Sequence, residues 1–434
     1  MKVMLLYPPI WQTTGFRTNC NNGMGLLYVG AVLRRDGHEV RIIDAEVSGW
    51  DNDRILAEIE SWKPTHVGIS CLTNGLESAI SISKMIKEKH PEIWVALGGA
   101  GPSAEPDYAL NESRADSVSV GESETILDKS FGERGIHYGI PVSDLDSLPF
   151  PAYDLLEPRI GSSAWNGNLP VPDISNVREA VVMWSRGCPH LCTFCSKASI
   201  KRGYPRTRGA KNIVEELRML RDRFGINSIF VYDDELIGMS PKHNTWLKEV
   251  LSEIRANGLN TIRFKGQGRC NKNFITDDIA RDLKESGFFA MMMGCESGSE
   301  IVKTRIKKHT TNEDIRHSLK TLHDAGIRIY GFWMIGMPDE TRDEARKTER
   351  LIEEVCPYMD WIQVTIFSPL LGSEFYEEAK ERGWLKNFDR TKNFQVDTML
   401  EMPFMSRDEI VRWQKKLYTV FGGCKKNERA NVAK

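Results

Sequence analysis

Short apolar runs alternate with amphipathic stretches along the first part of the chain. The apolar runs are rich in β-branched residues and predict strands at 2–7, 39–44, 66–70, 93–97 and 116–120. Between them, apolar positions recur at helical spacing and predict helices at 26–35, 53–62 and 76–89. Such alternation predicts an α/β fold, namely a doubly wound, Rossmann-like parallel sheet with helices on both faces.

The same alternation resumes near residue 180 and gives six strand–helix units. Strands are predicted at 180–184, 227–232, 261–265, 289–293, 327–335 and 361–367, and helices at 211–223, 243–257, 276–286, 312–325, 340–355 and 374–382. Near-continuous apolar runs are typical of parallel strands buried on both faces. Six such units form either an open barrel or a second doubly wound sheet, and periodicity does not choose between them.

A stretch rich in Pro, Gly, Ser and Asp separates the two halves and predicts a connector. The predicted organisation is a first domain at 1–135, a linker at 136–177, a second domain at 178–385 and a short C-terminal helical segment at 386–434. In the last segment, Ser406 and Glu409 have the spacing of a capping box, which predicts one further helix.

Composition narrows the function classes. The 434 residues are 41% hydrophobic and 27% charged with a net charge of −2, which is typical of a soluble protein and gives no basic field for nucleic acid. We find no apolar run long enough to span a bilayer and expect no membrane insertion. Nine cysteines without an export signal predict a cytoplasmic setting, in which thiols serve metals or redox chemistry rather than structural disulfides.

Small residues follow the predicted strands of the first half, at the edge where such sheets bind ligands. Glycine lets a backbone approach a bulky ligand, and hydroxyl groups supply short hydrogen bonds. The pattern therefore favours a cofactor-sized ligand, although tight turns required by packing explain the glycines equally well. The candidate residues are Ser70, Thr73, Gly98, Gly99, Gly101, Gly121 and Glu122.

In the second half, nearly every unusual residue lies just past a predicted strand. Because the carboxyl ends of parallel strands meet at one edge, we expect these residues to converge on one face. The candidates are Asp233, Asp234, Glu235, Gln267, Arg269, Glu296, Ser297 and Gly336. The sequence assigns no catalytic residue among them.

Three cysteines, Cys188, Cys192 and Cys195, follow the first strand of the second half. A structural zinc site usually needs four ligands from two short knuckles, and no second cysteine pair of that spacing exists here. His190 could serve as a fourth ligand, but in so tight a loop we expect it to point to solvent. Three thiolates suit a [4Fe-4S] cluster whose fourth iron is open to another ligand, with structural zinc as the alternative.

The C-x3-C-x2-C spacing, with Phe194 before the third cysteine and six strand–helix units behind it, resembles the radical S-adenosylmethionine (SAM) superfamily. The resemblance implies a partial (β/α)6 barrel in which the open iron chelates SAM. It also implies SAM contacts from Phe194, Gln267, Arg269 and Gly336. Asp234 or Glu235 would hold the methionyl ammonium in a loop that lacks the family's glycines. Glu296 and Ser297 would lie near the ribose, and the strand ending at Gly336 would pass the adenine.

The first half resembles the cobalamin-binding domain of class B radical SAM enzymes, through "GMGLLYVGAVLRRDGHEVRIIDAE", "GGAGPSAEP" and "SVGESE". This resemblance implies that the candidate residues from Ser70 to Glu122 face cobalamin. The Asp-x-His-x-x-Gly motif that supplies a histidine to cobalt in other cobalamin proteins is absent. His38 and His66 are poorly placed to replace it.

The two resemblances together imply a cobalamin-dependent radical SAM enzyme. SAM would be cleaved reductively to a 5′-deoxyadenosyl radical, which would abstract hydrogen from a small-molecule substrate. Methyl transfer from methylcobalamin to an unactivated carbon would follow. The alternatives are a radical SAM dehydratase, cyclase or mutase that makes no chemical use of cobalamin and, more distantly, a non-catalytic metal-binding protein. A reductant protein such as flavodoxin or ferredoxin is the implied partner.

Overall fold

The computed structural model describes residues 1–11, 23–161, 171–196, 205–385, 388–390 and 399–432. Seven parallel strands form the first sheet, in the spatial order β6-β5-β4-β3-β1-β2-β7. They are β1 Lys2–Tyr7, β2 Glu39–Asp44, β3 His66–Ser70, β4 Trp94–Gly98, β5 Ser117–Val120, β6 Gly135–Tyr138 and β7 Leu156–Glu157. The order reverses beside β1, as it does in doubly wound sheets, so the predicted Rossmann-like fold is confirmed.

Helices cover both faces of this sheet. They are α1 Met24–Arg35, α2 Ala45–Ser48, α3 Asn52–Trp62, α4 Leu76–Lys89, α5 Ala100–Ala104, α6 Pro106–Ser113 and α7 Leu127–Ser130. The predicted linker contributes to the sheet, because β7 pairs in parallel with β2 through Ile42 and Leu156. Short 3-10 helices occupy Thr73–Gly75, Ser123–Thr125, Leu145–Ser147, Tyr153–Leu155 and Cys356–Tyr358.

Six parallel strands form the second sheet, and each pairs with its neighbour in chain order, so that β8 and β15 are the two edges. They are β8 Glu179–Val182, β11 Ser228–Val231, β12 Arg263–Arg269, β13 Phe288–Glu296, β14 Arg328–Ile335 and β15 Trp361–Ile366. A two-stranded antiparallel ribbon, β9 Ser185–Arg186 and β10 Arg206–Thr207, stands apart from this sheet. A sequential order without reversal is that of an open barrel, which decides between the two architectures left open by periodicity.

The helices between these strands are α8 Ala210–Phe224, α9 Pro241–Ala256, α10 Asp277–Glu285, α11 Glu300–Arg305, α12 Asn312–Asp324, α13 Arg342–Val355 and α14 Glu374–Glu381. The last helix, α15, spans Arg407–Val432 and packs on β15 and α13. Its capping box is confirmed, since the Ser406 amide donates to the Glu409 carboxylate at 3.0 Å. No helix among the described residues is long and apolar enough to cross a membrane.

A disulfide joins Cys356 to Cys424 and ties α15 to the end of α13. The expectation that no thiol serves a structural disulfide is therefore wrong for this pair. Its two cysteines are 68 positions apart and become neighbours only when α15 docks on the barrel.

The two sheets share one hydrophobic core, which runs from β1 and α1 to β8 and α8. Tyr153, from the predicted linker, is buried at the junction and donates to the Val181 carbonyl at 3.1 Å and to Glu216 at 2.8 Å. Glu216 also pairs with Arg208 in the same buried position. Because these bonds join the connector to the second half, while β7 of the same connector pairs with the first sheet, the connector is part of the junction between the two sheets.

Candidate functional site

The carboxyl ends of the two sheets face a shared space, which we call the interdomain cavity. Its empty volume is about 1360 Å³ when the part that is open to solvent is included. Its first-domain wall includes Ser70, Gly98, Gly99, Gly121 and Glu122. The second domain adds Met183, Arg186, Tyr232 and Asp234. The structure thus brings five of the seven predicted cobalamin residues to one wall, and the predicted SAM residue Asp234 faces them.

Glycine is required at the centre of that wall. Gly99 has φ +91°, and a Cβ there would lie 2.6 Å from the Cys71 carbonyl oxygen and 2.7 Å from the Ser70 hydroxyl. Gly101 is packed under Leu72 and, like Thr73, does not line the cavity. The wall is therefore built from backbone and small side chains, which suits the close approach of a large flat cofactor.

Glu122 is bonded across the domain junction, and its predicted contact with cobalamin stays a prediction. Its carboxylate accepts bonds from Arg206 at 2.5 and 3.0 Å and from the Val142 amide at 2.7 Å, and Arg186 lies 3.4 Å away. Burial raises the pKa of Glu122, but the two arginines and the Val142 amide outweigh burial and hold it below its usual value. The side chain is thus engaged by the second domain.

The cysteine loop, residues Gly187–Ser196, follows β9 of the two-stranded ribbon. Its interior is held by backbone bonds, because the Thr193 amide donates to the Ile306 carbonyl and the Phe375 amide donates to the Thr193 carbonyl, both at 3.1 Å. Phe194 packs against the apolar cluster that contains Phe375 and Met337. The three cysteines form no disulfide and are partly exposed, so their thiols remain available as ligands.

Of the three carboxylates that follow β11, Asp233 and Asp234 support the chain around the start of the cysteine loop, and Glu235 lies in the candidate site. Asp233 is fully buried and accepts from the Trp184 amide at 2.7 Å and the Ser185 hydroxyl at 2.6 Å, and burial raises its pKa to about 7. Asp234 accepts from the Gly187 amide at 3.1 Å. These two acids hold the start of the cysteine loop from the neighbouring strand.

Glu235 reaches into the cysteine loop itself. Its Oε2 lies 3.1 Å from His190 Nε2 and 3.5 Å from Cys188 Sγ. Burial raises the pKa of Glu235, yet His190, Arg269 and Lys308 outweigh burial and keep it below its usual value. The expectation that His190 points to solvent is wrong, because the buried carboxylate attracts its ring.

The ligand atoms of Cys188, His190 and Glu235 all lie within 4.8 Å of one another. The residues present fit a [4Fe-4S] cluster with an incoming ligand, on two observations. The loop supplies three thiols that form no disulfide, and the Oε1 atom of Glu235 is buried without a hydrogen-bond partner. A buried carboxylate oxygen left open requires a donor, and an ammonium group provides one.

Two cations border the loop from β12 and the segment after α11. Arg269 donates to Cys192 Sγ at 3.3 Å, and Lys308 donates to Glu296 at 2.9 Å. Glu296 has φ +63°, so strained backbone places its carboxylate beside the cations. Gln267 donates to the Asp233 carbonyl at 2.7 Å. Arg269, Glu296 and Gln267 thus converge as predicted, while their roles toward SAM stay predictions.

Ser297 and Gly336 lie in supporting positions. Ser297 is fully buried with its hydroxyl 3.1 Å from that of Thr348. The Gly336 amide donates at 2.6 Å to buried Glu340, whose Oε2 also accepts from Met337. Burial raises the pKa of Glu340 to about 8. The predicted ribose and adenine contacts of Ser297 and Gly336 stay predictions.

Sequence reasoning missed several residues of this region, among them Tyr28, Arg186, His190, Arg206 and Lys308. Arg186 had a local signal, since it stands directly before Gly187 and Cys188. Arg206 and Tyr28 had none, because their contacts join positions far apart in the chain.

Two family models match the chain, one in each half. Residues 17–129 match the B12 binding domain family, and residues 182–352 match the Radical SAM superfamily. The matched regions lie inside the predicted domains 1–135 and 178–385.

Two curated relatives span nearly the whole chain. An uncharacterized methyltransferase of Pyrococcus horikoshii is 27% identical over 97% of this chain and 92% of its own length. An anaerobic magnesium-protoporphyrin IX monomethyl ester cyclase of Rubrivivax gelatinosus is 23% identical over 93% of this chain and 72% of its own length.

A solved structure shows the same fold. It is the radical SAM methyltransferase TsrM from Kitasatospora setae with cobalamin and a [4Fe-4S] cluster bound, with TM-score 0.65, 16% identity and coverage of 88% of this chain and 78% of that one. The predicted family, fold class and cofactor set of a [4Fe-4S] cluster, SAM and cobalamin are thereby confirmed. The chain belongs to the radical SAM enzymes that carry an N-terminal B12-binding domain.

Proposed function

We propose that this enzyme transfers a methyl group to an unactivated carbon of a small-molecule substrate. The observation that carries the proposal is the interdomain cavity, in which the glycine wall of the B12-binding domain faces Arg186, which directly precedes the cysteine loop, and Asp234, which accepts a bond from the first amide of that loop. A substrate in that space would have access to both cofactors without leaving the protein. The methyltransferase relative and TsrM support methyl transfer as the reaction class.

The residues of the second domain would hold the cluster and SAM. Cys188, Cys192 and Cys195 would ligate three irons, and the open oxygen of Glu235 would accept the ammonium of SAM. Once bound, cluster and SAM supply a carbon radical that abstracts hydrogen, and cobalamin supplies the methyl group. Arg269 would keep positive charge beside Cys192, which stabilises a thiolate there.

The first domain would bind cobalamin without a histidine on cobalt. No histidine lines the cavity among the described residues. His66 packs against Trp94 and Phe131, and His38 lies 3.1 Å from the N-terminal amine. The glycine wall of Gly98 and Gly99 would therefore hold the corrin ring by shape and backbone contacts.

A reductant protein such as flavodoxin or ferredoxin would supply the electron, and we place the reaction in the cytoplasm. We also propose that neither nucleic acid nor membrane insertion takes part; a net charge of −2 gives no basic field for nucleic acid.

The test is anaerobic reconstitution with iron, sulfide and hydroxocobalamin, followed by SAM and dithionite. We expect about four irons and one cobalamin per chain, and formation of 5′-deoxyadenosine. A candidate product should gain one methyl group by mass. A chain that holds no cluster after reconstitution would contradict the proposal.

The cyclase relative motivates a second candidate, a ring-forming radical reaction. Cyclisation by loss of hydrogen lowers the substrate mass, whereas methylation raises it, so the same mass measurement separates the two. Cobalamin that binds but never transfers labelled methyl from SAM would favour cyclisation.

A further inference from the structure

Four charged side chains cross the junction between the two domains. Glu122 and Glu124 belong to the loop after β5, and Arg186 and Arg206 belong to the β9–β10 ribbon. We call them the four-charge network. At most 14% of any of the four side chains is exposed, so water screens the charges weakly.

The ribbon would be electrostatically unfavourable without its partners. Arg186 and Arg206 are directly opposed in the antiparallel pairing, and like charges in such positions repel. Glu122 bridges them, with Arg206 at 2.5 Å and Arg186 at 3.4 Å. Glu124 lies 2.8 Å from Arg186 and completes a balance of two positive and two negative charges.

The network connects the two cofactor regions directly. Arg186 immediately precedes Gly187 and Cys188, and the β9–β10 ribbon closes the chain segment that contains all three cysteines. Arg186, Glu122 and Glu124 line the interdomain cavity, and the Arg186 guanidinium lies 4.6 Å from the centre of the Tyr28 ring in the same wall. The base of the cysteine loop is thus bonded to the wall that would hold cobalamin.

We propose that Glu122 is a positioning residue that fixes the cysteine loop relative to the B12-binding wall, so that cluster and cobalamin are held at one separation. This proposal rests on the proposed function, because it requires both cofactors. Both oxygens of Glu122 bond to the second domain or to the Val142 amide. The substrate must meet both cofactors, and a misplacement of about 1 Å can cost about 100-fold in rate.

The experiment measures the magnetic interaction between the reduced cluster and cob(II)alamin by electron paramagnetic resonance on the fully reconstituted chain. Both centres are paramagnetic, so broadening of the cobalamin signal reports their separation. The variants are Glu122→Gln and the double variant Glu122→Gln with Arg206→Gln. The control is Glu354→Gln, which removes an exposed two-bond pair with Arg316 on the far helices.

We expect Glu122→Gln to retain one cobalamin and about four irons but to lower the broadening at least about twofold. Its melting temperature should fall, because a buried cation loses its partner. The double variant removes one charge of each sign and should regain most of the melting temperature without regaining the broadening. Glu354→Gln should match the wild type in both measurements.

Three outcomes would overturn the proposal. Loss of cobalamin from Glu122→Gln would make Glu122 a cobalamin contact, as its sequence position suggests. If Glu122→Gln shows the same broadening as the wild type, or if the double variant recovers the broadening in full, the four-charge network contributes only to stability and does not position the cysteine loop. A wild type that binds only one cofactor would refute the proposed function first, and the inference with it.

Discussion

The glycine wall of the first domain and the cysteine-loop region of the second domain lie at the same kind of place, the carboxyl edge of a parallel sheet, yet they are built from different kinds of residue. The first-domain wall presents backbone atoms and small residues such as Ser70, Gly98 and Gly99. The second-domain site presents thiols, carboxylates and cations, among them Cys192, Glu235 and Arg269.

This difference follows from what each cofactor requires. A metal cluster needs particular donor atoms, so its site depends on particular side chains at a fixed spacing in the sequence. A large flat cofactor bound by shape needs room, which any suitable run of small residues provides. Cofactor binding at the cysteine-loop region should therefore be lost when a functional group is removed. Cofactor binding at the glycine wall should be lost when side-chain volume is added.

Cys195→Ala should give the largest effect. With one of three thiolates removed, we expect iron to fall well below four per chain and SAM cleavage to drop by at least about 1000-fold. The melting temperature should change by less than about 3 °C, because the loop is held by backbone bonds. Iron assay, product chromatography and circular dichroism provide the measurements. The control, Cys270→Ala, removes a buried thiol outside the loop and should keep its iron.

Glu235→Gln should weaken SAM binding by about 10- to 100-fold, since a neutral amide replaces a carboxylate with an open oxygen. Iron content should stay at the wild-type level, which separates SAM binding from cluster assembly. Equilibrium binding to the reconstituted protein measures the change. Glu374→Gln, at an exposed pair with Lys307, serves as the control, and equal affinities in the two variants would remove Glu235 from the SAM site.

Gly99→Ala tests the opposite wall. The added Cβ would meet backbone and a hydroxyl at 2.6–2.9 Å from a left-handed position, so we expect a loss of about 1–3 kcal/mol in stability and weaker cobalamin binding. Gly98→Ala is a matched control, because a Cβ at that position would have no heavy atom closer than 3.7 Å. We expect this substitution to cost less than about 0.5 kcal/mol in stability. Urea unfolding and cobalamin titration measure both. Equal costs at the two positions would contradict the account of the wall.

Glu340→Gln should give the smallest effect, visible in the pH dependence of stability. Burial raises the pKa of Glu340 from 4.5 to about 8. Between these two pH values the native state therefore keeps a proton that the unfolded chain has released. Its contribution to stability is complete below about pH 4.5 and is lost as pH rises through about 8. The variant cannot lose this proton.

Between pH 6 and 8.5 we therefore expect the melting temperature of Glu340→Gln to fall by about 2–4 °C less than that of the wild type. Burial also raises the pKa values of Asp44 and Asp233 to about 7. These two residues therefore cause part of the fall in melting temperature with rising pH in both proteins. Glu354→Gln should follow the wild-type profile, because Arg316 lowers the pKa of Glu354 below this window. Identical profiles in Glu340→Gln and the wild type would contradict a neutral Glu340.

Periodicity predicts most of the fold because long elements carry their own signal. Helix α4 begins and ends at the predicted residues, and each of the six strands of the second sheet overlaps its predicted run. The elements that sequence misses are two to eight residues long, among them β6, β7, β9, β10 and α6, and such short elements carry little or no periodic signal. The disulfide of Cys356 is missed for another reason, since it depends on how a distant helix docks.

The site follows the same division. The cysteine spacing and the position of Glu235 are local signals and lead to the right loop. The bonds of Glu122 to Arg186 and Arg206 join residues more than 60 positions apart, so they exist only once both sheets have assembled. The sequence predicts that His190 points to solvent, because the buried carboxylate that attracts its ring lies in the loop after a different strand, β11.

The small ribbon of β9 and β10 has a consequence for how this enzyme can change over evolution. Because Arg186 and Arg206 are paired across it, the chain between them leaves and returns at fixed points. Residues could be added or lost within that segment without shifting the register of β8 or β11. A lineage could thus change the length of this segment while it inherits the cluster ligands and the two sheets unaltered.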